Sequence, residues 1–236
     1  MIDFALLVVI ALVTWFVAAE GAWGAAAIFL SVVFAGLIAM NFFEPVANLL
    51  ESTVGADWSF RYDFIALLVL FGLSVFLLRL MAEKIAPGFI AVHSRLYDVC
   101  RFGFAAMTGY VTAAFLLAAL HTAPLPREFM GFTPERKNLF GFTAPDREWL
   151  GFVQYVSEKS MRSSDDGRIF DGAQFQVEGH DNQVWPTYII RYASRRDGYA
   201  AAMGGTSTAS NGSAVVPGGG DQAPATLKGA ASGGGL

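Results

Sequence analysis

Residues 21–43 read GAWGAAAIFLSVVFAGLIAMNFF, 23 consecutive positions without a charged side chain. A hydrocarbon core about 30 Å thick needs about 20 helical residues at 1.5 Å each. This run is long enough to cross, and it decides how its neighbours are read. Phe102 to Leu120 is a second run of that kind, 19 residues closed by His121. Two others are shorter: Phe4 to Ala19, with 16 residues, and Phe64 to Leu78, with 15, extendable past Arg79 to Ala82. Terminal charges such as Asp3 and Arg79 can snorkel to the headgroups, so short spans are tolerated. The fold expected is an all-α integral membrane protein with four transmembrane helices at about 4–19, 21–43, 64–82 and 102–122. The first run lacks a basic leader before its apolar stretch, which argues for a retained helix rather than a cleaved signal.

Composition agrees. Of 236 residues 54% are hydrophobic and only 15% charged, against about 25% charged in soluble domains. Mean hydropathy is +0.46. A net charge of -4 argues against a nucleic-acid partner, which calls for a clustered basic excess. The single cysteine, Cys100, excludes an intrachain disulfide framework and a Cys-based zinc cluster.

The connections carry the next layer of meaning. Glu20, Gly21 and Gly24 leave room only for a tight hairpin turn, in which glycine supplies the backbone freedom. Pro45 is expected to end the second helix or open its successor. Trp58, Phe60 and Tyr62 have the character of interfacial anchors. Between the third and fourth spans, Phe89 to Arg101 puts Val92, Leu96 and Val99 on one half of a wheel and Arg95, Asp98 and Arg101 on the other. That pattern predicts an interfacial amphipathic helix. Charge counting near the membrane does not orient the bundle.

Membrane helices associate through small residues. Ala27, Ser31, Ala35 and Ala39 in the second span, and Ala105, Gly109 and Ala113 in the fourth, recur every four residues. The two stripes are expected to form the central helix-packing contact. Residues 1–123 then make the membrane domain.

Residues 124–197 form a small irregular, polar tail. Gly131-Phe132-Thr133-Pro134 and Gly141-Phe142-Thr143-Ala144-Pro145 look like turns with an aromatic plug. Pro145 with acids at 146 and 148 opens a helix to about Met161. Its stripe of Trp149, Phe152, Val153 and Val156 is a candidate partner-binding face. Tyr188, Ile189, Ile190 and Tyr192 suggest a short strand at 185–193. Residues 198–236, rich in Gly, Ala and Ser, are expected to be disordered.

No phosphate-binding, nucleophile-elbow, zincin or dinucleotide-binding pattern occurs in the chain. The chain is therefore expected to be no enzyme, with no catalytic, cofactor-binding or metal residues and no cofactor. Its expected partners are the lipid bilayer, envelope proteins and further copies of itself in a homo-oligomer. A competing class is an oligomeric channel or transporter, in which Glu20, Arg79 or His121 lines a wet path.

Four stretches carry a family resemblance. They are Asp3 before the first helix, Glu20-Gly21 at the turn, Ala39-Met40-Asn41-Phe42-Phe43-Glu44-Pro45, and Arg101-Phe102-Gly103-Phe104-Ala105-Ala106-Met107-Thr108-Gly109. Over about residues 1–125 the chain resembles the CvpA family, bacterial inner-membrane proteins named for colicin V production. It departs at Glu20, where the family usually has a base, and at Tyr97 and Ala105, where Asp and Gly are expected. The resemblance implies a multi-pass inner-membrane protein that supports toxin production or export, or cell-envelope function. Relatives with an exported protease after the same helices imply a tail on the outer side.

Overall fold

The structure is a computed structural model that describes residues 1–55, 59–85, 94–126, 129–132, 137–157, 175–176, 184–185 and 187–202. Its helices are α1 (Ile2–Ala19), α2 (Gly21–Val54), α3 (Ser59–Ile85), α4 (Ser94–Leu120), α5 (Pro145–Tyr155) and α6 (Thr187–Ala202). A two-residue antiparallel ladder, β1 (Phe175–Gln176) with β2 (Val184–Trp185), precedes α6. The helices α1 to α4 are long and apolar enough to cross a membrane.

Their outward faces support that reading. Leu7, Val8, Leu12 and Phe16 of α1 and Val69, Leu73, Phe76 and Leu77 of α3 are exposed. Only 22% of the apolar window of α1 and 11% of that of α3 is buried in the protein. Such a surface is stable where the surrounding solvent is itself apolar.

Helix α4 is the hub. It packs on α1 and on α2, and it also supports α5, while α3 leans on α2. Gly109 marks the tightest approach: a Cβ there would lie 2.7 Å from the Ile10 carbonyl oxygen and 2.8 Å from Thr14 Oγ1. This corrects the expected pairing of small-residue stripes. The Ala105–Gly109–Ala113 face of α4 meets α1, and Ala105 shares a buried cluster with Val17 and Ala18. On α2, Ala35 and Ala39 are fully buried, Ser31 nearly so, and Ala27 half-buried. Ala39 belongs to a cluster with Ala66 and Leu67 of α3 and Ala118 of α4. Alanine spacing marks close approach and does not say which neighbour comes close.

Two helices run further than expected. Pro45 neither ends α2 nor opens a new helix, because α2 continues through it for 34 residues in all, about 51 Å at 1.5 Å each. One missing backbone hydrogen bond is outweighed there by packing, since Val46, Ala47 and Leu50 join the main core beyond the proline. Similarly, Ser94 to Arg101 forms the first turns of α4 rather than a separate interfacial helix; residues 89–93 lie outside the described residues. Tyr62 is buried and donates its hydroxyl to the Gly55 carbonyl at 2.8 Å, so it is a packing residue rather than a surface anchor.

The expected strand at 185–193 is a helix from Thr187 on. Tyr188, Ile189, Tyr192, Ala193 and Arg196 are all buried, and their spacing of one, four, five and eight is helical. β-Branched and aromatic content had hidden that period. Residues 198–202, assigned above to the disordered end, complete α6. The helix opened by Pro145 is α-helical to Tyr155, and residues 158–161 of its expected length lie outside the described residues.

Candidate functional site

At one end of the bundle the turn is built as tightly as a polypeptide allows. Glu20 alone separates α1 from α2. Gly21 has φ +82°, and a Cβ on it would lie 2.6 Å from the Tyr97 hydroxyl. A Cβ on Gly24 would lie 2.8 Å from that of Glu20. Glu20 pairs with Arg79 at 2.7 Å, and Arg79 also pairs with Glu83 at 3.0 Å. Arg101 Nε donates to the Ala18 carbonyl, closing the C-terminus of α1.

The opposite end is where the polar chemistry gathers. His121 follows the last turn of α4, and Asp146 sits in the first turn of α5. Both side chains are 0% exposed, and His121 Nε2 lies 2.9 Å from Asp146 Oδ2. The carboxylate oxygen accepts, so Nε2 carries the hydrogen. Burial pushes the His121 imidazole below the usual histidine range. Asp146 opposes that shift, while Arg196 and Arg147 add to it. His121 Nδ1 and Asp146 Oδ1 have no hydrogen-bond partner among the described residues. The rings of Phe132 and Tyr188 stand edge-on to the imidazole, with centroids 5.0 and 6.3 Å away.

Helix α6 roofs this cluster. Tyr188 donates its hydroxyl to the Ala118 carbonyl at 3.2 Å, a second bond to an oxygen that also accepts from His121 N at 3.2 Å. Arg191 pairs with Glu44 of α2 at 2.6 Å, and Arg195 pairs with Asp63 of α3. Arg196 lies over the Phe132 ring. Burial raises the Tyr192 phenol well above its ordinary value, and the Asp63 charge adds to that.

Two tight turns lead into the site. Phe129 and Phe132 exchange backbone hydrogen bonds around Met130 (φ 51°) and Gly131 (φ 87°). Leu139 and Thr143 bridge around Phe140 (φ 49°) and Gly141 (φ 76°). Left-handed pairs of this kind match the twist of a short hairpin. Phe132 is a plug, buried with Leu6, Ala113 and Leu117. Phe142 is not, at 82% exposed. Both turns hold the start of α1: Ile2 N donates to the Met130 carbonyl at 3.0 Å, and Phe140 N to Asp3 Oδ1 at 2.7 Å.

The candidate partner-binding stripe on α5 is turned inward, a correction to its expected role. Trp149 is 4% exposed and Val153 0%, and both belong to the main core. A Cβ on Gly36 would lie 2.7 Å from Trp149 Cη2 and closer still to Cζ2. The absent side chain is thus the seat of the indole. The Phe115 ring meets the indole edge-on at 6.3 Å. An amphipathic helix tethered beside an apolar bundle buries its stripe there, without waiting for a partner. Val156 is half-buried against the same core, and Phe152 remains exposed.

Below α5, a lateral groove of about 400 Å³ opens between α2 and α4. Phe29, Leu30 and Val33 form one wall, and Val111 and Ala114 form the other. Pro145, Glu148, Trp149 and Phe152 of α5 line its third side, and Tyr110 of α4 donates its hydroxyl to Glu148.

Glu20 and Arg79 therefore stand at one end, paired, and His121 at the other, buried. The sequence alone singled out neither Asp146 as the partner of His121 nor Gly36 as the seat of Trp149. The pattern Pro-Asp at a helix start, which suits a carboxylate near free N–H groups, was the available signal for the first. Among the described residues no group of three His, Cys, Asp or Glu side chains is placed to hold a metal ion.

The fold and this site define a helical protein with four candidate membrane spans, which is to say a multi-pass membrane protein. Compared with family models, curated proteins and solved structures, the chain matches none of them.

Proposed function

We propose that the chain is a non-enzymatic scaffold of the bacterial inner membrane, of the CvpA kind. In this reading it supports colicin V-type toxin production or export, or cell-envelope function, by holding partner proteins. The observation that carries the reading is the docking of α5 along α2 and α4, and of α6 at the ends of α2, α3 and α4. Trp149 seats against Gly36, Tyr188 bonds the Ala118 carbonyl of α4, and two ion pairs join α6 to α2 and α3. The tail becomes a platform at a fixed place on the bundle. Its outward apolar groups, Phe142, Phe152 and Tyr155, are exposed and replace the buried stripe as the contact surface. The family resemblance adds that this platform faces the outer side.

Photo-crosslinking from Phe142 and Tyr155 in cells tests the scaffold. Discrete protein adducts at both positions, with none from Trp149, are expected. Adducts with lipid alone at every position would contradict it. Phosphatase and fluorescent reporters fused after Leu236 test the side. The reading expects an active phosphatase, and a fluorescent, phosphatase-silent fusion opposes it. The channel reading draws no comparable support, because the charged groups it needs stand at opposite ends and are engaged within the chain.

A further inference from the structure

We propose that the groove between α2, α4 and α5 binds a lipophilic organic cation, with the Glu148 carboxylate as its counter-charge. Depth in the bilayer is the first argument. Phe29 and Val33 are the ninth and thirteenth residues of the uncharged run 21–43, and Tyr110 and Ala114 are the ninth and thirteenth of the run 102–120. Both walls therefore lie at the middle of their spans, and the Tyr110 hydroxyl holds Glu148 at that level. An ionisable group so deep in hydrocarbon is costly unless paired, and it marks a binding site by default. Tyr110 gives the carboxylate a hydrogen bond and no charge, and the described lining of the groove holds no Lys, Arg or His. The missing partner is a positive charge supplied from outside the chain.

The lining selects what carries that charge. Apart from Glu148 and the Tyr110 hydroxyl it is apolar, and Phe29, Trp149 and Phe152 make it aromatic. Glu148 and Phe152 are both exposed and one turn apart on α5, so one ligand can meet the carboxylate and a ring together. Aromatic faces attract cations, most strongly where water is excluded. A bare metal ion is not served, because hard cations take about six or more oxygen ligands and one carboxylate with one phenol falls short. The volume of about 400 Å³ lies within the roughly 300–1,000 Å³ of small-molecule sites. What fits is a positive centre wrapped in apolar groups that enters sideways from the bilayer. The site does not depend on the scaffold reading, since protein adducts from Phe142 and Tyr155 neither need it nor report it.

The test is equilibrium dialysis of the full chain in detergent against tetraphenylphosphonium. Tetraphenylborate is the probe of the same shape and opposite charge, and protein-free micelles are the blank. One saturable tetraphenylphosphonium per chain is expected, with no saturable tetraphenylborate. Glu148→Gln should weaken cation binding by about tenfold or more, as the loss of a charge pair in a low-dielectric site requires, with little change in Tm. Phe152→Ala should weaken it by about threefold or more. Equal binding of the two probes would overturn the proposal. So would cation binding undiminished in Glu148→Gln, or the absence of any saturable cation, which is the result of a groove filled by lipid or by a second copy. Should Glu148→Gln fail to fold, the comparison of the two probes on the unsubstituted chain still decides.

Discussion

At the scale of single residues, the tail is held by two fits, one of shape and one of charge. The shape fit is Gly36 against Trp149. Gly36→Val overpacks that contact and is expected to destabilise the folded tail by about 1–3 kcal/mol. A red shift of Trp149 emission would report the indole leaving its seat. Emission unchanged from the parent, measured with the other tryptophans replaced by phenylalanine, would count against the socket. The charge fit is His121 with Asp146. Because the folded protein holds His121 below the unfolded value of about 6.5, the unfolded chain binds the extra proton first. Stability is therefore full above about pH 6.5 and falls as the pH drops below it, by up to about 1.4 kcal/mol per unit. Asp146, Arg196, Arg147 and Tyr188 are the polar neighbours that set this response. Thermal melts of His121→Gln in detergent between pH 7.5 and 5 should lack that decline; a decline equal to the parent's would assign it to other groups. Neither pairing was legible beforehand, although Pro145-Asp146 marked a carboxylate at a helix start. A glycine in a membrane helix announces close approach without naming its partner, and a histidine at a helix end gives no clue to an acid 25 residues on.

Among the elements, α6 rests on packing more than on its charges. Arg191–Glu44 and Arg195–Asp63 are part-exposed pairs, each worth about 0–1 kcal/mol. Ile189 is 2% exposed in the main core, and Ile189→Ala is expected to cost about 2–5 kcal/mol. Protease protection of α6 in detergent should therefore collapse in Ile189→Ala and persist in Arg195→Ala; the reverse order would mean that ion pairs dock the helix. Between α1 and α4, Gly109→Leu must drive the helices apart, because the nearest obstacle is the Ile10 backbone. The existence of α1 to α4 was written in uncharged runs, since crossing hydrocarbon demands length and apolarity. Their ends were harder to read. Beyond Pro45 the contacts of Val46, Ala47 and Leu50 with the main core extend α2, whereas Ser94 to Val99 are exposed and continue α4 as its first turns. In α6 the residues Tyr188, Ile189 and Tyr192 obey a helical and a strand preference at once, and burial of Ala193 and Arg196 beside them resolves the choice.

For the whole molecule, the four-span arrangement puts the N-terminus, the α2–α3 connection and the tail at one end, with the α1–α2 turn and the end of α3 at the other. Contacts between Asp3 and Phe140, Glu44 and Arg191, and Asp63 and Arg195 join that first set of segments. The Glu20–Arg79 pair joins the second. The most direct test is side-specific labelling with a membrane-impermeant maleimide in a Cys100→Ser background, using Ser52→Cys, Phe142→Cys and Lys84→Cys, all exposed positions. The fold predicts that Ser52→Cys and Phe142→Cys react from the same face of sealed vesicles and Lys84→Cys only from the other. Labelling of all three from a single face would contradict the four-helix crossing on which the rest is built.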